Sequence, residues 1–258
     1  MSWIQAVIDL PTEQWEAGAR FWAASLGWPL GRSWDGHPEL RTFEPDSGDG
    51  YVHLQRIDGP PRIHLDLEVT DVAAATRRWV ELGAEIVGPP PEPPTTTWQA
   101  MRSPGGLPFC LIPEGHRQPP PASSWPDGHR SRLVQVCVDL PEEVCDSEIA
   151  FWRSGLTGRW ARGDREEFLG KVHDDAGSPL QLLFQRLGEH TGPARAHLDL
   201  GTDDVSAEVR RQVTLGAVEG RADDGFVALT DPAGLAYCVT GNDPEATQTR
   251  DLGDRPWP

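Results

Sequence analysis

Residues 5–11 read Gln-Ala-Val-Ile-Asp-Leu-Pro, and residues 135–141 read Gln-Val-Cys-Val-Asp-Leu-Pro. The same offset of 130 carries Phe21-Trp22 and Leu26 onto Phe151-Trp152 and Leu156. His64-Leu-Asp66-Leu returns as His197-Leu-Asp199-Leu, and Arg77 to Ala84 returns as Arg210 to Ala217, both at an offset of 133. Ser103-Pro-Gly-Gly106 with Cys110 returns as Asp231-Pro-Ala-Gly234 with Cys238 at an offset of 128. The blocks keep their order and the offsets drift by only a few residues, as when insertions fall in loops, so the chain is a tandem duplication. Module one is assigned to 1–115 and module two to 130–241. Between them, 116–129 is rich in proline and small residues and reads as a stiff, solvated linker, while 242–258 reads as a polar tail.

Each copy opens on a short apolar run, 3–9 or 133–139, bounded by proline and read as a strand. Trp15, Ala19, Trp22 and Leu26 then recur at helical spacing and stop at Gly27 as a C-cap, matched by Cys145, Ile149, Trp152 and Leu156. Strand-forming stretches follow around 51–57 and 180–187. The His64 and His197 strands lead into second helices behind Asp71 and Asp204 as N-caps, and these stop at Gly83 and Gly216. Final strands lie near 107–112 and 235–240, each after a Pro/Gly turn. Each module is therefore a pair of βαβββ units, and the chain is an α+β protein.

Composition narrows the function. Among 258 residues, 40 acidic side chains face 23 basic ones, for a net charge of −17. Such a surface repels phosphate backbones and anionic bilayers, so neither nucleic acid nor membrane is an expected partner. No apolar run approaches the ~18–20 residues of a membrane helix. The start, MSWIQAVIDLPTEQWE, has no basic and then apolar region, so no signal peptide is expected. Four cysteines without CxxC spacing read as reduced thiols, consistent with a cytoplasmic protein. Walker, GxSxG, HExxH and GxGxxG motifs do not occur, which leaves nucleotide handling and triad hydrolysis without support.

The Asp-Leu-Pro strand end, the Phe-Trp…Leu helix end, His-Leu-Asp-Leu, Leu-Gly-Ala, and Pro-Gly-Gly or Pro-Ala-Gly before the last strand resemble the vicinal oxygen chelate superfamily. That superfamily holds glyoxalases, bleomycin-resistance proteins and extradiol dioxygenases, and the closest likeness is to its glyoxalase-like domains. The resemblance implies a U-shaped mixed sheet around a pocket in each module. It also implies metal ligands on the first strand, on the strand after the central connection, and on the last strand. In this chain those positions hold Gln5, His64 and Cys110, and again Gln135, His197 and Cys238. Where the superfamily's metal enzymes put a Glu on the last strand, both copies put a Cys. A thiolate is soft and favours Zn or Cu(I) over oxygen-coordinating metals, whereas a free Cys is otherwise a small buried apolar residue.

Strand alternation places His64, Asp66 and Glu68 on one face, His197 with Asp199 on another, and pairs Gln5 with Asp9 and Gln135 with Asp139. The expected pocket residues are Gln5, His64, Asp66, Cys110, Gln135, His197, Asp199 and Cys238. Asp9 and Asp139, near strand ends, are read as holding loop amides or an arginine such as Arg62 or Arg195. Trp22 and Trp152 lie on apolar helix stripes and read as core. Trp28, Trp34 and Trp98 lie in loops and either pack or rim a pocket, and Arg56 and Arg186 read as solvated strand ends. Two functions remain open. One is a binding module that holds a small hydrophobic or aromatic molecule without a standard metal site. The other is a divalent-metal enzyme acting on a vicinal-oxygen substrate as a lyase, isomerase or dioxygenase. With both modules in one chain, a monomer is expected.

Overall fold

The sequence blocks form two sheets whose central strands are buried on both faces. The computed structural model describes residues 3–88, 98–163, 165–173 and 177–245. From residue 246 onward, the tail lies outside the described residues. Module one comprises β1 (Ile4–Pro11), α1 (Thr12–Leu26), β2 (Leu30–Trp34), β3 (His37–Phe43) and β4 (Val52–Ile57), then β5 (Arg62–Val69), α2 (Val72–Glu81), β6 (Glu85–Ile86), β7 (Gln99–Arg102) and β8 (Pro108–Pro113). After β9 (Ser123–Ser124), module two repeats the plan. It has β10 (Arg130–Leu140), α3 (Cys145–Gly155), β11 (Arg159–Ala161), β12 (Phe168–His173) and β13 (Gln181–Arg186), then β14 (Arg195–Thr202), α4 (Val205–Thr214), β15 (Val218–Asp223), β16 (Phe226–Thr230) and β17 (Ala236–Thr240).

Sheet order in module one is β2-β3-β4-β1-β5-β8-β7-β6, and module two runs β11-β12-β13-β10-β14-β17-β16-β15. The two βαβββ units of each module join at the antiparallel pairs β1–β5 and β10–β14. Both sheets curl until their arms meet. His37 opens β3 and Trp98 precedes β7, near opposite edges of the sheet, yet their ring centroids lie 6.2 Å apart. In module two Arg165, ahead of β12, lies 5.9 Å from the Phe226 ring that opens β16.

Helix ends follow local chemistry. Gly27 ends α1 in the left-handed region at φ 72, where a Cβ is costly. Asp71 and Asp204 cap α2 and α4 by accepting from Ala74 N–H and Ala207 N–H. The core is shared, because each module's first helix packs on the other module. Trp22 of α1 lies 5.3 Å from Tyr237 of β17, and Trp152 of α3 lies 5.3 Å from Phe109 of β8. Trp79 of α2 sits 5.5 Å from Trp152 and occupies the space that a side chain at Gly155 would need.

One segment departs from expectation. The segment expected to form a solvated linker is packed in part: Pro120, Ala122 and His129 are buried and Ser124 pairs with Arg130 through β9, while 116–118, Pro121 and 126–128 are exposed. Ser123 donates from Oγ to the Leu26 carbonyl at the end of α1 (2.7 Å). The prolines stiffen a strap rather than a tether, so less chain entropy opposes its docking.

Candidate functional site

Alternation along β5 and β14 brings the same constellation together twice. His64 Nδ1 lies 3.0 Å from Asp9 Oδ2, and His64 Nε2 faces Asp66 Oδ1 at 3.4 Å. In module two His197 Nδ1 lies 2.7 Å from Asp139 Oδ2, and Nε2 faces Asp199 Oδ1 at 3.4 Å and Cys238 Sγ at 3.6 Å. Donor atoms of His64, Asp66 and Cys110 lie within 4.8 Å of one another, as do those of His197, Asp199 and Cys238. Cys137, Asp139 and His197 form a third such group, so His197 has a thiol on either side. Asp9 also accepts from Arg62 Nε (2.8 Å), as expected, but its contact with the imidazole gives it a second task. Arg195 instead pairs with Glu189.

Burial opposes charging of both imidazoles, but their neighbours outweigh it, Asp9 and Asp66 at His64 and Cys137, Asp139 and Asp199 at His197, and hold both well above the usual histidine range. Burial pushes the Cys110 and Cys238 thiols up. The resting cluster is therefore an imidazolium between two carboxylates beside a neutral thiol. Asp66 Oδ1 and Asp199 Oδ1 are buried and accept no hydrogen bond. A carboxylate oxygen aimed at an imidazole nitrogen and a sulfur, and otherwise unsatisfied, fits a divalent cation. The N, O and S donors suit a borderline-soft ion such as Zn²⁺. The Asp–His contact on the far nitrogen is the support that metal-binding imidazoles commonly have.

The expected glutamine ligands are engaged elsewhere. Gln5 Nε2 donates to Glu68 Oε1 (2.8 Å) and its carbonyl faces His53 Nε2 (2.5 Å). Gln135 Nε2 donates to Asp199 Oδ2, and its carbonyl accepts from Gln181 Nε2. Asp66 and Asp199, rather than the glutamines, complete the two clusters.

The two modules then diverge. In module one the concave face is filled by a directed chain of side chains. Trp34 Nε1 donates to Thr42 Oγ1 (2.9 Å), and Thr42 Oγ1 meets His53 Nδ1 (2.9 Å). Beyond the His53–Gln5–Glu68 contacts, Arg117 Nε donates to Glu68 Oε1 (2.8 Å) and Gly115 N–H to Oε2 (2.9 Å). Module two has Leu183 where the register puts His53, Gly201 where it puts Glu68, and Lys171 where it puts Thr42. There the concave face holds a cavity of about 300 Å³ lined by the His197 cluster, Gln135, Gln181, Gln185, Lys171, Leu183, Phe168 and Phe226. Gly201 helps shape it: a Cβ there would meet the Asn242 carbonyl at 2.7 Å, so glycine lets the chain after β17 close the wall.

Two family-model matches, to residues 5–112 and 135–240, bear the description "Glyoxalase-like domain". The chain belongs to this family. No curated protein matches its sequence. Among solved structures it resembles the Mn(II)-bound glyoxalase from Novosphingobium aromaticivorans at 18% identity and TM-score 0.61, covering 96% of this chain and 85% of that one. It also resembles the 2,3-dioxygenase LapB from Pseudomonas sp. KL28 at 14% identity and TM-score 0.60, covering 92% and 90%. A xylose isomerase-like TIM barrel/4-hydroxyphenylpyruvate dioxygenase fusion protein matches at 14% identity and TM-score 0.59; the chain is 92% covered but spans only 48% of that protein. At these identities the likeness shows the fold.

In this glyoxalase-like chain Trp28 takes the packing role of the two left open for it: it is buried, 5.4 Å from Tyr51. Trp34 lies 5.3 Å from His53 and covers it. Trp22 and Trp152 are core, as expected. Arg56 lies over the Trp15 ring, 4.6 Å from its centroid. No described helix is long and apolar enough to cross a membrane.

His53 supplies a pH prediction for module one. Gln5 offers its carbonyl to His53 Nε2, so that nitrogen carries the proton; the Trp34-to-Thr42 bond then turns the Thr42 hydroxyl toward Nδ1, and the ring is neutral. Burial is the main cause that lowers its pKa from 6.5 to about 4. A depressed histidine contributes stability that is present above 6.5 and is lost as pH falls toward the folded value. At 1.36 kcal/mol per unit, the loss is about 3 kcal/mol. Urea unfolding of wild type and His53→Gln at neutral pH and near pH 4 should show a smaller decline in the variant. Equal declines would remove His53 from the account.

Proposed function

We propose that this is a small-molecule-binding protein whose second module holds the ligand, while the first has become a filled structural copy. The observation that carries this reading is the pairwise exchange of His53 for Leu183, Glu68 for Gly201 and Thr42 for Lys171, which coincides with a filled concave face in one copy and a cavity of about 300 Å³ in the other. That volume is at the lower end for ligand sites. Its three glutamines, the His197 cluster and Lys171 favour a small polar ligand, with Phe168 and Phe226 flanking it, over the small hydrophobic or aromatic molecule expected from the sequence. The ligand would meet His197, which Asp139 orients, and Asp199, which Gln135 holds.

The test is thermal unfolding against a panel of small polar metabolites. A ligand at a hundredfold excess over its Kd adds about 2.7 kcal/mol, a rise of roughly 5–10 °C for a chain this size. Gln185→Trp puts an indole into the cavity from a half-buried strand position and should abolish the rise. A rise that survives this substitution would place the ligand elsewhere.

A second reading, a metal-dependent enzyme, is favoured by the unsatisfied Asp199 Oδ1 beside His197 Nε2 and Cys238 Sγ. These three side chains would hold a divalent ion, which when bound would polarise a ligand oxygen as a Lewis acid. Asp139 would then keep His197 Nδ1 protonated and its Nε2 turned to the site.

A further inference from the structure

Lysine occurs once in this sequence, at Lys171, and that side chain lines the module-two cavity. The chain carries 40 carboxylates, and the other cation that lines the cavity, Arg165, is paired. Arg165 Nη1 lies 3.9 Å from Glu167 and 3.7 Å from Asp223, and its Nη2 donates to the Asp224 carbonyl. Arg195 pairs with Glu189, and Arg221 with Asp223. Among the described residues Lys171 has no such partner. Of the acidic residues that line the cavity with it, Asp199 has Oδ2 held by Gln135 and Oδ1 facing His197 Nε2 at 3.4 Å, and Asp224 belongs to the turn that Arg165 holds.

The duplication supplies an internal control. Register places Lys171 opposite Leu183 on β13, as Thr42 lies opposite His53 on β4. In the filled module this position is a neutral hydroxyl, fully engaged by Trp34 and His53. In the open module it is a cation facing space. Along the sheet, β12 is three strands from β14, so Lys171 and His197 stand on different arms around one cavity. The long-range repulsion that a net charge of −17 exerts on an anion is screened within about 10 Å at ordinary ionic strength, so the local ammonium decides.

We infer that Lys171 is the anchor for an anionic group, and that the ligand of module two is a small carboxylate or phosphate whose other end reaches the His197 cluster. The inference rests on the proposed binding role of module two. An ammonium with no partner among the described residues, half-removed from water, forms a charge-assisted hydrogen bond most readily with a ligand that brings the counter-charge.

Because there is one lysine, amine acetylation by an N-hydroxysuccinimide ester reports on this site, with the N-terminal amine of the same chain as reference. Competitors would be benzoate, pyruvate and succinate, phenyl phosphate, and the uncharged benzamide and phenol. At least one anion should slow Lys171 acetylation relative to the N-terminus by about 10-fold or more and raise the unfolding temperature. Lys171→Met should weaken that anion's binding by about 10- to 100-fold, while Lys171→Arg retains it. Protection by phenyl phosphate alone names a phosphate ligand, and protection by carboxylates alone names a carboxylate. Benzamide or phenol acting as well as their charged counterparts overturns the anion assignment and leaves the cavity reading standing. If no compound protects or stabilises, both fall.

Discussion

Titration of the metal-free protein with cobalt(II) is expected to produce a near-ultraviolet thiolate-to-cobalt charge-transfer band, at about one cobalt per module. Each module offers one imidazole nitrogen, one carboxylate oxygen and one sulfur within 4.8 Å, with an unsatisfied aspartate oxygen among them. In a Cys137→Ser background, which removes the thiol on the other side of His197, Cys238→Ser should remove about half of the band and Cys110→Ser the remainder, since serine keeps the shape but cannot give a sulfur transition. The imidazoles are held protonated by their carboxylate pairs and the thiols are held neutral by burial. A cation must displace those protons, so binding should strengthen as pH rises from 6 to 8 with measurable proton release. Asp139→Asn should weaken the module-two site by roughly 10- to 100-fold, because the imidazole loses the partner that fixes its orientation. Absence of a sulfur band, or a band that survives both cysteine substitutions, would remove the metal reading and leave ligand binding to the protein side chains alone.

Much of this site was legible in the sequence, because duplication marks which residues move together. His64 and Asp66, like their copies, share a face by simple alternation, the family resemblance adds Cys110 and Cys238, and the three meet in space in each module. The capping roles of Asp71, Asp204 and Gly27 follow from helix-end chemistry that acts within a few residues. Legibility fails where the partner is remote. Asp9 and Asp139 looked like strand-end residues, and only the antiparallel pairing of β1 with β5 and of β10 with β14 brings them to the imidazoles. The outer strands β2, β3, β11 and β12 were seen only as part of a repeating unit, since half-exposed segments such as Leu30–Trp34 show no strict alternation. Lys171 carried no signal, because an isolated cation on a strand resembles any solvated residue until the opposite wall is in place. Glu68 was visible on the His64 face, but its replacement by Gly201 mattered only once the volume that its carboxylate and Arg117 occupy was known.

The helix stripes raise the same difficulty at larger scale. Trp22 and Trp152 announce an apolar face without saying what covers it, and the cover is the other module. The two seams so formed are related by the repeat but are not equal, and this leads to a second large effect. Arg78 of α2 and Arg211 of α4 are equivalent residues, and each bonds to a C-terminal carbonyl of the other module's first helix. Arg78 is exposed and makes one such bond, to the Ser154 carbonyl (2.8 Å). Arg211 donates to the Ala24 and Ser25 carbonyls (3.0 and 2.7 Å), binds Glu208 through Nε and Nη2, and lies 3.5 Å over the Trp125 ring.

Glu208 is fully buried among Arg211, Gln212 and His129, the last contributed by the packed strap. Burial pushes its carboxyl up, but Arg211 and His129 outweigh it and hold it below the usual range. Arg211→Ala therefore leaves a buried carboxylate short of its main counter-charge and frees two helix carbonyls. The expected loss is about 3–5 kcal/mol at neutral pH. Arg78→Ala should cost about 1 kcal/mol or less, because water replaces its one bond. A depressed carboxylate contributes stability that is present above its unfolded pKa and is lost as pH falls through the folded one. Without Arg211 the lowering influence on Glu208 is mostly gone, so the Arg211→Ala deficit should shrink as the pH falls into the ordinary carboxylate range, where the variant's Glu208 takes up a proton and needs no counter-charge. Urea unfolding of both variants across that range measures it. Equal losses for the two arginines, or a deficit that does not change with pH, would mean that the strap with His129 and Trp125 merely covers the seam and that the charge beneath it does not hold the modules together.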